Sequence, residues 1–149
     1  MKKIDDYRKL LGANKTSTLK ELKSIYRGLM KDFHPDKFQD DEEGKADAEE
    51  KSRTIIEAYH FIVSISPETW ATFSEEYTAT ITSSLIADLE YKGQTLRIDY
   101  ADGNSFEYFD VPKNIYIKFI NADSQNRFAR RQICNSYVYR KVTSTLVPA

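Results

Sequence analysis

The sequence predicts an α+β protein in two parts, an all-helical domain over 1–77 and a small antiparallel meander with one helix over 78–149. Two observations carry this. From Asp5 to Tyr77 the apolar residues recur at helical spacing, and from Thr78 onward Tyr, Thr, Ser and β-branched residues sit between turn signals. No Pro/Gly linker marks the change of texture near 77–80, and there is no internal repeat or low-complexity segment. A chain of 149 residues has room for one ordinary domain or two small ones.

Composition narrows the function classes. Hydrophobic residues make up 40% and charged residues 30%, and no apolar run approaches the roughly 18 residues a membrane helix needs, so no membrane partner is expected. The N-terminal MKKIDDYRK lacks the apolar core of a signal peptide, which leads us to expect a cytoplasmic protein. The lone Cys134 excludes a disulfide framework or a thiolate metal cluster within one chain. His34 and His60 are the only imidazoles. Ser83 and Ser84 have no plausible base nearby in sequence. We therefore expect no catalytic residues, no metal, no cofactor and no enzyme. Charge is unevenly spread. Residues 1–77 carry 13 Lys/Arg against 16 Asp/Glu, and 78–149 carry 9 against 7, so neither half is a basic tail.

The first helix is predicted over about Asp5 to Leu11, ended by Gly12 in the position after the helix. Thr18-Leu-Lys-Glu21 is a capping box that starts the second. Its apolar positions Leu19, Leu22, Tyr26, Leu29 and Phe33 form one stripe. Lys20, Lys23, Arg27 and Lys31 gather on another side, away from Glu21 and Asp32. Pro35 ends this helix by disfavouring the helical conformation at His34 and removing a backbone donor. Asp36 is then free in a loop to meet a cation. The acidic run 40–47 reads as a solvated loop. A third helix is expected over about Ala48 to Ser64, with Ile55, Tyr59 and Ile62 inward and His60 on the surface. Ser66-Pro67 reads as the cap and first residue of a last helix carrying Trp70, Phe73 and Tyr77.

DYRKLLG, then TLKELKSIYRGLMKDFHPDK, then IIEAYHFI resembles the J domain of DnaJ-type co-chaperones over roughly residues 4–77. The resemblance implies two long antiparallel helices holding a His-Pro-Asp loop at their tip, and docking on a DnaK-type (heat shock protein 70 family) chaperone whose ATP hydrolysis it stimulates. Carried over position by position, Asp36 would engage a cation on the chaperone, with His34 and Pro35 shaping the loop. Lys20, Lys23, Arg27 and Lys31 would meet an acidic groove, where such charges favour rate and orientation. Three positions depart from the pattern. Gly28 stands where a second basic residue is common, Asp32 where a basic residue is common, and Ser52 where a core Phe is usual.

In the second half ITSSLIADLEY (81–91) reads as a strand. After Lys92-Gly93, Leu96, Ile98 and Tyr100 alternate with Arg97 and Asp99. Asp102-Gly103-Asn104 signals a hairpin turn, and Phe106 and Tyr108 then share a face. This predicts three strands. Val111-Pro112 introduces a helix of about 113–122 with Ile115, Phe119 and Ala122 toward the sheet. Thr82-Ser83-Ser84, Phe106-Glu107-Tyr108, Val111-Pro112 and the following Ala, Ser, Phe, Ile and Tyr series resemble the KTSC domain over about 80–142. That module is found alone in bacteria and at the C-terminus of some lysyl-tRNA synthetases, and RNA binding is a suggestion attached to it.

The candidate RNA-binding residues are Arg127, Arg130 and Arg131, in the acid-free cluster 127–141, with Tyr108 and Tyr137 as stacking rings. Tyr108, like Phe106, reads more readily as core than as a stacking platform, the arginines read equally as caps or partners of the acidic first domain, and Cys134 reads as a small buried hydrophobe. Two functions follow. In one, the chain is a co-chaperone whose second domain recruits a client protein. In the other, the J-like domain only docks, and the work is binding to RNA, tRNA or ribosomes.

Overall fold

The computed structural model describes residues 2–38 and 41–142, and the chain divides into two units, Met1–Thr69 and Trp70–Ala149. The first contains α1 (Lys2–Leu11), α2 (Leu19–Phe33), a 3-10 turn (Pro35–Phe38) and α3 (Glu42–Ser64). Helix α1 ends at Gly12, whose φ of +72° is open to glycine at little cost. The capping box at α2 is complete: Thr18 Oγ1 accepts from Glu21 N at 3.1 Å, and Glu21 Oε1 accepts from Thr18 N at 3.1 Å.

Helices α2 and α3 run antiparallel. Leu19 N, at the start of α2, donates to Glu68 just past α3; Tyr26 stacks on Tyr59 at 4.2 Å in the middle; Lys51 lies over the Phe33 ring at the far end. Tyr7 of α1 donates to Glu57 and packs edge-on against Phe61. Ile4, Leu11, Leu22, Ile55, Ala58, Phe61 and Ile62 form the buried interior.

Two sequence expectations fail in this unit. The acidic run is helical from Glu42, because Asp41 caps the helix by accepting from Gly44 N, and Glu42 and Glu43 lie at the positive end of the helix dipole. Ser66 does not cap the following helix. Its hydroxyl donates to Ile62 O and serves the end of α3 instead.

The second unit takes α4 (Pro67–Thr72) from Trp70 onward, then α5 (Ser74–Ser83), β1 (Ile86–Lys92), β2 (Thr95–Tyr100), β3 (Ser105–Tyr108), α6 (Lys113–Ile120), α7 (Gln125–Phe128), a π-type turn (Ala129–Ile133) and β4 (Tyr139–Lys141). The sheet is antiparallel in the order β1-β2-β3-β4. It has four strands rather than the three expected, because Tyr139 pairs with Tyr108 across β3–β4. The two-residue turn Gly93-Gln94 has φ of +56° and +64°, the left-handed pair that matches strand twist.

The strand expected from residue 81 starts only at Ile86. Residues 81–83 complete α5 instead, since Tyr77, Thr80 and Ile81 are spaced to bury one helix face against the sheet. Thr80 Oγ1 donates to Asp102 Oδ2 at 2.7 Å and accepts from Asn104 Nδ2 at 2.9 Å, tying α5 to the β2–β3 turn. The single last helix expected from Pro67 is broken at Phe73 (φ −128°, ψ 21°).

Leu96, Ile98, Phe106, Tyr108, Val111, Phe119 and Ile133 are fully buried in this unit. Trp70 and Tyr77 stack on Tyr139 at 4.7 and 4.4 Å, and Trp70 Nε1 donates to Tyr139 O. The division therefore falls at 69/70 and not at the 77/78 boundary expected from texture, since the aromatic residues of 70–77 are core to the sheet. Both sheet edges are guarded against strand addition. Trp70 occupies the outer carbonyl of β4, and on β1 a register shift and the Asp88 carboxylate, accepting from Leu89 N, interrupt the edge.

Candidate functional site

Helix α2 buries Leu22 and half-buries Tyr26, Leu29 and Phe33, which fixes the rotation of the whole helix. Lys20, Lys23, Arg27 and Lys31 are all exposed, at spacings of three and four residues that align them along one side. The structure thus brings together the basic stripe read from the sequence. Gly28 lies in open space beside it and Asp32 is exposed.

The stripe runs into the 34–36 loop. His34 ends α2 in an extended conformation (φ −65°, ψ 131°), as a residue before proline must, and Pro35 opens the 3-10 turn closed by Lys37 N donating to His34 O. His34 Nδ1 accepts from Asp36 N at 3.2 Å and lies 3.4 Å from Asp36 Oδ2. The imidazole thus ties the turn to the end of α2. The Asp36 carboxylate is left 76% exposed at the tip of the helical hairpin, a fixed negative charge beside a row of positive ones.

In the second unit the candidate residues are scattered. Tyr108 is fully buried: its hydroxyl lies 2.9 Å from that of Tyr77 and donates to Cys134 Sγ at 3.4 Å, so it offers no face to a base. Burial pushes the pKa of Tyr77, Tyr108 and Cys134 up, keeping all three neutral. Tyr137 and Arg130 are half-buried, whereas Arg127 and Arg131 are exposed and line one open groove. Arg140 pairs with Glu107 at 2.8 Å, and Lys141 with Glu76 at 3.0 Å. Across the sheet Glu90, Arg97, Glu107 and Arg140 sit in register, an alternating row that neutralises itself. Among the described residues no group of three or more His, Cys, Asp or Glu could hold a metal, and no helix is long and apolar enough to cross a membrane.

Comparison with known families and proteins fits this geometry. The DnaJ domain family matches residues 6–66, and the KTSC domain family matches residues 82–137. The chain carries a DnaJ domain followed by a KTSC domain. Curated relatives match over the DnaJ domain. Proteins described as "Chaperone protein DnaJ" are 42% identical over 59 residues in Hydrogenobacter thermophilus and 50% identical over 54 residues in Agrobacterium fabrum. A third, from Thermoplasma volcanium, is 40% identical over 57 residues. These matches cover 36–40% of this chain and 13–15% of those relatives, so the chain spans a small part of their length.

Within the DnaJ domain the sequence located the loop and the basic stripe. It did not reveal how His34 holds the turn, because a ring nitrogen accepting from a backbone N–H two residues on leaves no mark in composition. Within the KTSC domain the Phe106-Glu107-Tyr108 motif is divided by the sheet: both rings face the core, and Glu107 faces Arg140. Phe106 meets Tyr77 edge-on at 4.9 Å.

Proposed function

We propose that this protein is a cytoplasmic J-domain co-chaperone that docks on a DnaK-type chaperone, stimulates its ATP hydrolysis, and uses its KTSC domain to recruit a protein client. It catalyses nothing itself. The observation that carries this reading is the exposed Asp36 carboxylate, held by the His34–Asp36 turn at the end of the Lys20–Lys23–Arg27–Lys31 stripe. Opposed charges at fixed positions give a partner of complementary charge both a faster encounter and a single orientation. The match of residues 6–66 to the DnaJ domain supports the same partner class.

The RNA-binding alternative is the weaker of the two. Tyr108 is buried, Arg140 and Lys141 are paired, and Arg127 and Arg131 alone are few cations for a phosphate backbone.

A single-turnover ATPase assay with the host's own DnaK-type chaperone tests the proposal. The unsubstituted chain is expected to accelerate hydrolysis. Asp36→Asn should abolish the acceleration while its circular dichroism and melting temperature stay unchanged, because the side chain supports no core. Full stimulation by Asp36→Asn would overturn the role given to that carboxylate.

A further inference from the structure

The outer side of α6 carries exposed aliphatic side chains, and the groove that follows it carries exposed arginines. Ile117 and Ile120 lie on the last turn of α6 and are 44% and 41% exposed, while Phe119 between them is fully buried and stacks on Phe128. Phe119 is in the core and Ile115 and Tyr116 pack against it, so the two isoleucines are not there to fill it. The chain then forms an open groove of about 310 Å3, lined by Ala122, Ser124, Arg127, Phe128, Arg131 and Gln132. Arg127 and Arg131 project beside it, both exposed, and Lys113 and Lys118 are exposed on α6. The charged residues on the groove lining are two arginines, Arg127 and Arg131, and one acid, Asp123.

We propose that this apolar and basic face binds an acidic polypeptide segment with aliphatic side chains next to its carboxylates, and that such segments mark the clients this protein recruits. The proposal rests on the co-chaperone reading only for the word client; the docking surface stands by itself. Charge decides against a basic segment. The type of apolar group decides against nucleic acid: the exposed side chains are aliphatic, whereas Phe106 and Tyr108 are in the core and Tyr91 and Tyr116 are stacked on each other at 4.2 Å. Bases need open aromatic planes, and the one ring on the groove, Phe128, is half-buried with a face taken by Phe119. A carboxylate pair, by contrast, suits two arginines four residues apart, each able to donate a planar fork of N–H groups.

The test uses the full chain and fluorescence anisotropy, with no chaperone present. The probes are a fluorescein-labelled peptide of Leu-Glu-Glu repeats, its Leu-Lys-Lys counterpart, and single-stranded oligouridine. The acidic peptide should bind, with an affinity that falls as salt rises. R127E/R131E and I117S/I120S should each weaken it by on the order of tenfold, the size of effect two well-placed side chains carry at an interface. Circular dichroism melting should be unchanged in both, since all four positions are exposed. Equal binding by either double variant and the unsubstituted chain would overturn the proposal. So would tighter binding of oligouridine that ignores I117S/I120S, which would assign the arginines to phosphate. ATPase stimulation by the unsubstituted chain, measured separately, tells the two readings apart: peptide binding without stimulation removes the co-chaperone reading and leaves the docking surface, and stimulation without peptide binding does the reverse.

Discussion

Tyr77, Tyr108 and Cys134 show how polar atoms survive in the interior of the KTSC domain. Tyr77 donates to Cys134 O at 3.1 Å, the two phenol oxygens lie 2.9 Å apart, and Tyr108 reaches the sulfur. Tyr139 beside them has its pKa pushed up to about 12 by burial, and the other three groups also rise. The sign of the resulting pH dependence is fixed. Below about pH 10 these tyrosines are neutral in both folded and unfolded chains. Above it the unfolded chain sheds their protons while the folded one keeps them, so stability falls as pH rises. Urea denaturation should show a lower midpoint at about pH 10.5 than at about pH 8, and a Tyr77→Phe/Tyr108→Phe variant should show a shallower drop. An equal drop in the variant would place the alkaline sensitivity elsewhere. Tyr108→Phe by itself should cost about 1 kcal/mol, because Tyr77 keeps its bond to Cys134 O.

Helix α2 carries the basic stripe, and Gly28 is its weak point. Its backbone is not left-handed, and a Cβ there would meet nothing within 4 Å. Gly28→Ala should therefore stabilise the chain by about 1 kcal/mol in denaturant titration, through helix propensity alone. Gly28→Arg adds a cation on the same exposed side as Arg27. Association with the chaperone should become faster and more salt-sensitive, and Arg27→Glu should slow it. Stopped-flow rates at two ionic strengths decide this. Rates that do not move in either variant would make the stripe an ordinary solvated surface.

The molecule is two units whose division at Thr69/Trp70 has a practical consequence. A fragment 78–149 lacks Trp70, Phe73 and Tyr77, so Tyr139 loses both stacked neighbours and the outer carbonyl of β4 loses its donor. That fragment should show no cooperative thermal transition by near-ultraviolet circular dichroism, whereas 66–149 should melt cooperatively. Cooperative melting of 78–149 would mean that the sheet and α6 suffice without the aromatic residues of α4 and α5.

The sequence by itself determined whatever depends on neighbours along the chain. The capping box at Thr18, the stop at Gly12, the alternation of Leu96, Ile98 and Tyr100, the turn at Gly103 and the basic stripe beside His34-Pro35-Asp36 all follow from spacings of a few residues, and all were legible. Tertiary structure decided what depends on distant partners. Residues 81–83 have β-branched texture, yet they finish a helix because Thr80 and Ile81 gain more by packing on the sheet and its turn than local preference costs. Tyr139–Lys141 became a fourth strand only because Tyr108 and Glu107 offered a free edge. Tyr108, a stacking candidate on paper, went inside once the register set its face. The exposure of Ile117 and Ile120 is of the same kind: helical spacing identifies Phe119 as inward, but only the packed unit shows that the described residues leave the isoleucines 44% and 41% exposed.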